Sequence, residues 1–137
     1  MTTVKRGQLV WVANDFTGGD KKPSRPAVIV SADSLNEQSD HVEVVYLTTQ
    51  EKERSPWHVL IDAVEPSTAL CEGVYTVAKS RLGSLIRWLA GNEMRAIEDG
   101  LRASLCLPAD GKQTDAKLEA ERDVYRDLYL QLVERFL

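Results

Sequence analysis

The stretch that most limits how this chain can fold is Arg25-Pro26-Ala27-Val28-Ile29-Val30-Ser31. Its central residues are apolar and mostly β-branched, with no polar residue alternating among them. A strand with one wet face would show that alternation, so the run reads as a strand buried on both faces. Pro26 suits the first strand position, where its fixed φ and missing N–H do little harm. Arg25 is then held at a rigid edge, just after a loop. It either anchors that loop through a salt bridge or presents its charge to a ligand.

A chain of 137 residues, 43% hydrophobic and 28% charged, has material for one globular domain with a single core. No apolar stretch reaches the length of a membrane span, and the first residues lack the apolar segment of a secretion signal. The expectation is a cytoplasmic protein with no membrane contact. Cys71 and Cys106 share no metal-like spacing, and His41 and His58 do not complete one. No metal or cofactor is expected, and both thiols read as buried small hydrophobes. A net charge of −4 argues against nonspecific coating of nucleic acid. Local charge can still hold a short single strand, and Lys21, Lys22 and Arg25 lie in one loop and its exit.

In order along the chain, Gln8 to Ala13 reads as a strand with aromatic and β-branched residues. Asn14 to Ser24 is polar, with Gly18, Gly19 and Pro23, and forms a surface loop. That loop is either a plain solvated connection or a lid carrying cations over a cleft. Ala32 to Glu37 is at most a helical turn. His41 to Thr49 is a strand, with Val42, Val44 and Tyr46 on one face and Glu43, Val45 and Leu47 on the other. Thr48 and Thr49 end it with hydroxyls.

Trp57 to Asp62 is a fourth strand, in which His58 is expected to bond a backbone group rather than do chemistry. Ala69 to Val77 is a fifth, with a bulge at Gly73. Glu72 on this apolar strand must reach solvent in a cleft or pair with a cation, because an isolated buried carboxylate is costly. Leu85 to Ala90 reads as a short helical piece stopped by Gly91, with Asn92 capping the next helix. Met94, Ile97, Leu101 and Leu105 form that helix's core stripe and close one side of the strand layer. Leu107 to Asp115 is a linker. Ala116 to Leu137 is an amphipathic helix with Leu118, Tyr125, Leu128, Tyr129, Leu132 and Phe136 on one face. The fold class is mainly β with helices, α+β, with a domain over 1–107 and an appended linker and helix over 108–137.

Five pieces of this chain, in order, resemble the MazF/PemK toxins of bacterial toxin–antitoxin systems. They are Lys5-Arg6-Gly7-Gln8-Leu9-Val10-Trp11-Val12, the run Arg25 to Ser31, Val44-Val45-Tyr46-Leu47-Thr48, Pro56-Trp57-His58-Val59, and Thr76-Val77-Ala78-Lys79-Ser80-Arg81-Leu82. The resemblance covers residues 4 to about 107. It implies a small SH3-like β-barrel, a symmetric homodimer, and cleavage of single-stranded RNA without a metal. It also implies a cognate antitoxin whose acidic, flexible tail fills the RNA cleft.

By position, the family's catalytic arginine falls on Arg25 and its catalytic threonine on Thr48. Glu72, just after Cys71, matches a carboxylate that takes part in the PemK branch. The expected RNA contacts are Gly18, Asp20, Lys21, Lys22, Ser31, Lys79 and Arg81. The chain departs from the family at Gly19, at Gly73, where glutamine is common, and at Ala78, where many relatives carry aspartate. Leu70 replaces the PemK branch's arginine. These departures bear on sequence preference and rate; the Arg25 and Thr48 pair is kept.

Metal-free cleavage of this kind uses the ribose 2′-OH as nucleophile on the adjacent phosphorus. It needs a base, an acid for the leaving 5′-oxygen, and donors for the phosphoryl oxygens. Arg25 supplies a planar, permanently charged fork, and Thr48 one hydroxyl donor. Neither is an obvious base; the resemblance implies that Arg25 itself shares in the proton transfers, and Glu72, if it points into the same cleft, is the physical alternative. Two other classes share such a barrel: toxins that bind DNA gyrase without catalysis, and SH3-like interaction modules. The helix at 116–137 is expected to pack across or alongside the dimer, with an intramolecular strut as the alternative.

Overall fold

The structure is a computed structural model and describes residues 3–13 and 24–108. The elements are β1 (Gln8–Val12), β2 (Arg25–Ile29), α1 (Asp33–Gln38), β3 (His41–Thr48), β4 (His58–Asp62), β5 (Pro66–Ala78), a 3-10 turn (Lys79–Arg81), β6 (Leu82–Trp88) and α2 (Gly91–Leu105). Six strands form one antiparallel sheet in the order β4-β5-β3-β2-β1-β6.

The apolar run of β2 lies inside this order and serves both faces. Val28 and Val30 join Leu9, Val45, Leu47, Ile61, Ala69 and Cys71 on the face that α2 covers. Ala27 and Ile29 join Val10, Val12, Val42, Val44 and Val77 on the other. Each fully buried Val, Leu or Ile is worth about 1.5–3 kcal/mol over leaving it in water, so the stretch Ala27 to Val30 that feeds both clusters carries no polar residue. On β3, Val42, Val44 and Tyr46 share one face, while Val45 and Leu47 share the other. That is the division its alternation predicts.

α2 packs through Met94, Ile97 and Leu101. Leu105, expected on the same stripe, is 55% exposed at the last turn. Gly100 marks the closest approach: an added Cβ would stand 2.9 Å from the Cys71 sulfur and 3.2 Å from Val59. A helical glycine costs about 1 kcal/mol relative to alanine, and here close packing on the sheet accounts for it. Cys71 is fully buried, and that burial pushes its thiol up to about 12, which leaves it inert. Cys106, expected to be buried, is exposed at the end of α2.

Two other expectations change. Leu85 to Ala90, read as helical, contributes instead to a sixth strand, with Gln8 opposite Trp88 and Val10 opposite Leu85. A strand is defined by its partner, and pairing with β1 outweighs local preference. Gly91 therefore opens α2 rather than closing a preceding helix. The cap residue is Ala90 rather than Asn92, and the Glu93 carboxylate accepts the Ala90 N–H at 2.9 Å.

The expected barrel is a sheet that is not closed by backbone bonds, with β4 and β6 as its edges. A side chain links them. Arg87 on β6 donates through Nε to the Asp62 carbonyl on β4 at 2.9 Å. Its other nitrogens hold Glu93 in a two-pronged pair at 2.8 and 2.6 Å. That pairing holds the Glu93 carboxyl down at about 2.

A second arginine fastens the start of β1. Arg6 donates to the Val30 carbonyl and to Glu98 on α2, while its backbone N–H reaches Asp33. Gly7 beside it has φ +91°, a conformation that favours glycine. Among the described residues no helix is long and apolar enough to cross a membrane.

Candidate functional site

Arg25 opens β2 opposite Val12. In the ladder with β3, Ala27 faces Tyr46 and Val28 faces Val45. Carried two residues further, that register sets Thr48 opposite Arg25, on the sheet face away from α2. The Arg25 side chain is exposed and makes no salt bridge among the described residues. The Thr48 hydroxyl accepts the Gln50 N–H at 3.2 Å, which fixes the turn leaving β3.

β5 supplies the opposite wall by breaking its own register. Between the pairs Val45–Val74 and Leu47–Ala69, β3 advances two residues while β5 covers five. The surplus bows Leu70 to Gly73 out of the ladder, where a bulge was expected around Gly73. Within it Cys71 turns into the α2 cluster and Glu72 faces outward. A cavity of about 380 Å³ results, lined by Arg25, Tyr46, Glu72, Gly73, Tyr75 and Arg81 together with Leu70, Thr76 and Val77. Thr48 is not part of that lining.

Glu72 pairs with a group the sequence reading set aside. His58 Nε2 lies 3.2 Å from Glu72 Oε1, and His58 Nδ1 lies 2.7 Å from the Glu53 carbonyl. Both partners are acceptors, so the ring satisfies both only when each nitrogen carries a proton. The Glu53 carbonyl first, and then Glu72, raise the His58 pKa above its ordinary value, against burial and Lys52. The expected backbone bond of His58 is there; its carboxylate partner lies 14 residues away, and only the β4–β5 pairing brings it close.

The remaining expected contacts divide. Arg81 lines the cavity and donates through Nε to the Ala13 carbonyl at 2.8 Å, at the exit of β1. Lys79 lines a second cavity, of about 390 Å³, beside Val10 and Leu82. Ser31 is buried, and its hydroxyl donates to Asn36 Oδ1 and accepts the Glu43 N–H. Gly18, Asp20, Lys21 and Lys22, and the helix at 116–137, lie outside the described residues. Among the described residues no three His, Cys, Asp or Glu side chains gather as a metal site.

The lining also holds two tyrosines that the sequence reading did not single out. The Tyr46 and Tyr75 rings meet edge to face, centroids 5.3 Å apart at 64°. Tyr46 could have been found from its parity with Arg25 across the β2–β3 ladder.

A cation pair, a carboxylate backed by imidazole and two aromatic rings in one open cleft suit a phosphodiester chain carrying unstacked bases. Comparison with known proteins identifies the family and the fold. The family described as "PemK-like, MazF-like toxin of type II toxin-antitoxin system" matches residues 5–105. Among solved structures, the chain is similar to an endoribonuclease in complex with its cognate antitoxin from a mycobacterial species. The identity there is 23% and the TM-score 0.67, over 78% of this chain and 99% of that one. It is also similar to MazF of a MazE-MazF structure from Deinococcus radiodurans, with 19% identity and TM-score 0.65, over 78% of this chain and 100% of that one. A third likeness is the toxin MazF-mt6 of Mycobacterium tuberculosis, with 21% identity and TM-score 0.62, over 74% and 98% of the two chains.

Proposed function

Because this chain belongs to the PemK-like, MazF-like toxins of type II toxin–antitoxin systems, we propose that it is an endoribonuclease that cuts single-stranded messenger RNA at preferred sequences. The observation that carries this reading is the cleft shared by Arg25, Glu72 and Arg81, with Thr48 at the end of β3, the strand that pairs with β2. The 2′-hydroxyl of the nucleotide before the cut attacks the adjacent phosphorus. Arg25 holds two phosphoryl oxygens through its fork, and Thr48 donates its hydroxyl to the charge that develops there. Glu72 takes the 2′-proton, and the His58 ring, 3.2 Å away, orients the carboxylate. As the new P–O bond forms, the bond to the 5′-oxygen breaks. The leaving oxygen takes up a proton, which the family resemblance assigns in part to Arg25. The products carry a 2′,3′-cyclic phosphate and a 5′-OH. DNA lacks the nucleophile, so it binds without being cut.

The reading extends to partners. A cognate antitoxin with an acidic tail would cover the two arginines of the cleft; similar proteins are solved in complex with an antitoxin. The working form is a cytoplasmic homodimer, each copy contributing a domain over 1–107 with 108–137 appended to it. The test is incubation of the purified protein with a mixed single-stranded RNA pool in chelator. Discrete fragments with cyclic phosphate ends are expected. Intact RNA with folded protein would overturn the reading and leave a non-catalytic toxin, acting on gyrase or as an interaction module.

A further inference from the structure

Tyr75 stands on β5 with 54% of its surface exposed, next to Val74, which is 37% exposed. Its ring is nevertheless held in place. Tyr46 meets it edge to face. The ring also lies close over Gly73: a Cβ built there would stand 2.8 Å from Tyr75 Cε2 and 3.3 Å from its hydroxyl oxygen. Only a residue without a side chain leaves the ring this position. Arg25 and Arg81 line the same cavity and can take phosphates, while the Glu72 carboxylate on the β5 wall repels them. A strand of nucleic acid entering the cleft is therefore steered with its backbone toward the arginines and its bases toward β5.

We propose that Tyr75, fixed by Gly73 and Tyr46, is the platform on which one unpaired base stacks beside the phosphate held by Arg25, and so sets preference at that position. The inference rests on the reading of the cleft as an RNA site and adds a specificity residue to it. Stacking tolerates every base but favours the larger face, so a purine is preferred there.

The experiment uses the full chain and two forms of one short mixed-sequence RNA pool: plain, and 2′-O-methylated throughout so that binding is read without cleavage. Tyr75→Ala is expected to weaken binding of the methylated pool about 10-fold. It should raise KM on plain RNA by a similar factor, keep kcat within about twofold, and flatten the base preference at one position beside the cut. Gly73→Ala, which displaces the ring by a single carbon, should move the same way. Tyr75→Phe, which keeps the ring, should recover the binding. If Tyr75→Ala binds the methylated pool as wild type does, the ring is only a cross-strand partner of Tyr46 and the proposal fails. A loss confined to an acidic peptide probe would equally overturn it, in favour of a protein partner. If the pool binds and depends on Tyr75 while plain RNA stays uncut, the platform stands and the nuclease reading falls. If wild type does not bind the methylated pool, the platform falls, and the nuclease reading falls with it only if plain RNA also stays intact.

Discussion

The two faces of the sheet are built from the same strands to opposite ends. On the α2 face, Cys71 sits against Gly100 at the limit of contact, with a thiol held at about 12 by burial. One residue along, Glu72 stands in an open cleft within 3.2 Å of the His58 ring. The bow in β5 lets adjacent residues serve such different needs. Rigidity on one side is what allows charge to be held ready on the other: Arg25 and Glu72 keep their places because the strands behind them are pinned.

The contrast predicts that cleft substitutions change activity without stability and that α2-face substitutions do the reverse. The largest effect is expected for Arg25→Ala, which should cost at least about 10³-fold in RNA cleavage with an unchanged melting temperature. Arg25→Lys should recover little, since a point charge does not reproduce the fork. Near-wild-type cleavage by folded Arg25→Ala would end its assignment as the phosphate ligand. Thr48→Val should follow at about 10²-fold, and Thr48→Ser should be mild. Equal rates for Val and wild type would leave Thr48 as a residue that only shapes the turn at Gln50.

On the other face, Gly100→Val should lower stability by about 1–3 kcal/mol through overpacking against Cys71 and Val59, with kcat unchanged in the folded fraction. A neutral result in denaturant titration would mean that α2 rides off the sheet at little cost. Acid should probe the same side. Glu93 is held at about 2, below its ordinary 4.5. Its contribution to stability is therefore complete above about 4.5 and lost as pH falls toward 2. Glu93→Gln should remove that acid-sensitive component, visible as a flatter stability curve between those limits.

The smallest effect concerns His58. Its raised pKa means that its contribution is complete below 6.5 and lost as pH rises through the higher folded value. Glu72→Gln should lower the His58 pKa by NMR titration, because Glu72 is one of the two groups that raise it, after the Glu53 carbonyl. An unchanged value would assign the rise to the Glu53 carbonyl alone. If Glu72 is the base, the same variant also loses the acid limb of the pH–rate profile.

What the sequence carried, and what it withheld, follows from how local each signal is. The burial of Ala27 to Val30 on two faces, the division of β3 and the stripe Met94, Ile97 and Leu101 are written in periodicity, which needs no partner to read. β6 was missed because Leu85-Ile86-Arg87-Trp88 has no strong period of its own and takes its form from β1. Ser31 looked available because an apolar run ending in a hydroxyl resembles a strand tip at a site; the buried Asn36 that claims it is visible only once α1 folds back. His58 and Glu72 meet through a hairpin, so neither announces the other. Arg25 was singled out because an arginine beside a strand-starting proline is held by local geometry alone.

The Arg87 link between the sheet edges bears on how these molecules behave toward one another in concentrated solution. An open β4 edge, with Leu60 exposed along it, is a template on which a foreign strand could extend the sheet. Arg87 occupies the carbonyl at the end of that edge and sets a charge beside it. An incoming strand must give up a ladder bond and bury a guanidinium to complete its register. One side chain thus guards the seam against runaway strand addition. In light scattering at high protein concentration, Arg87→Ala should begin to aggregate before its melting temperature gives any warning.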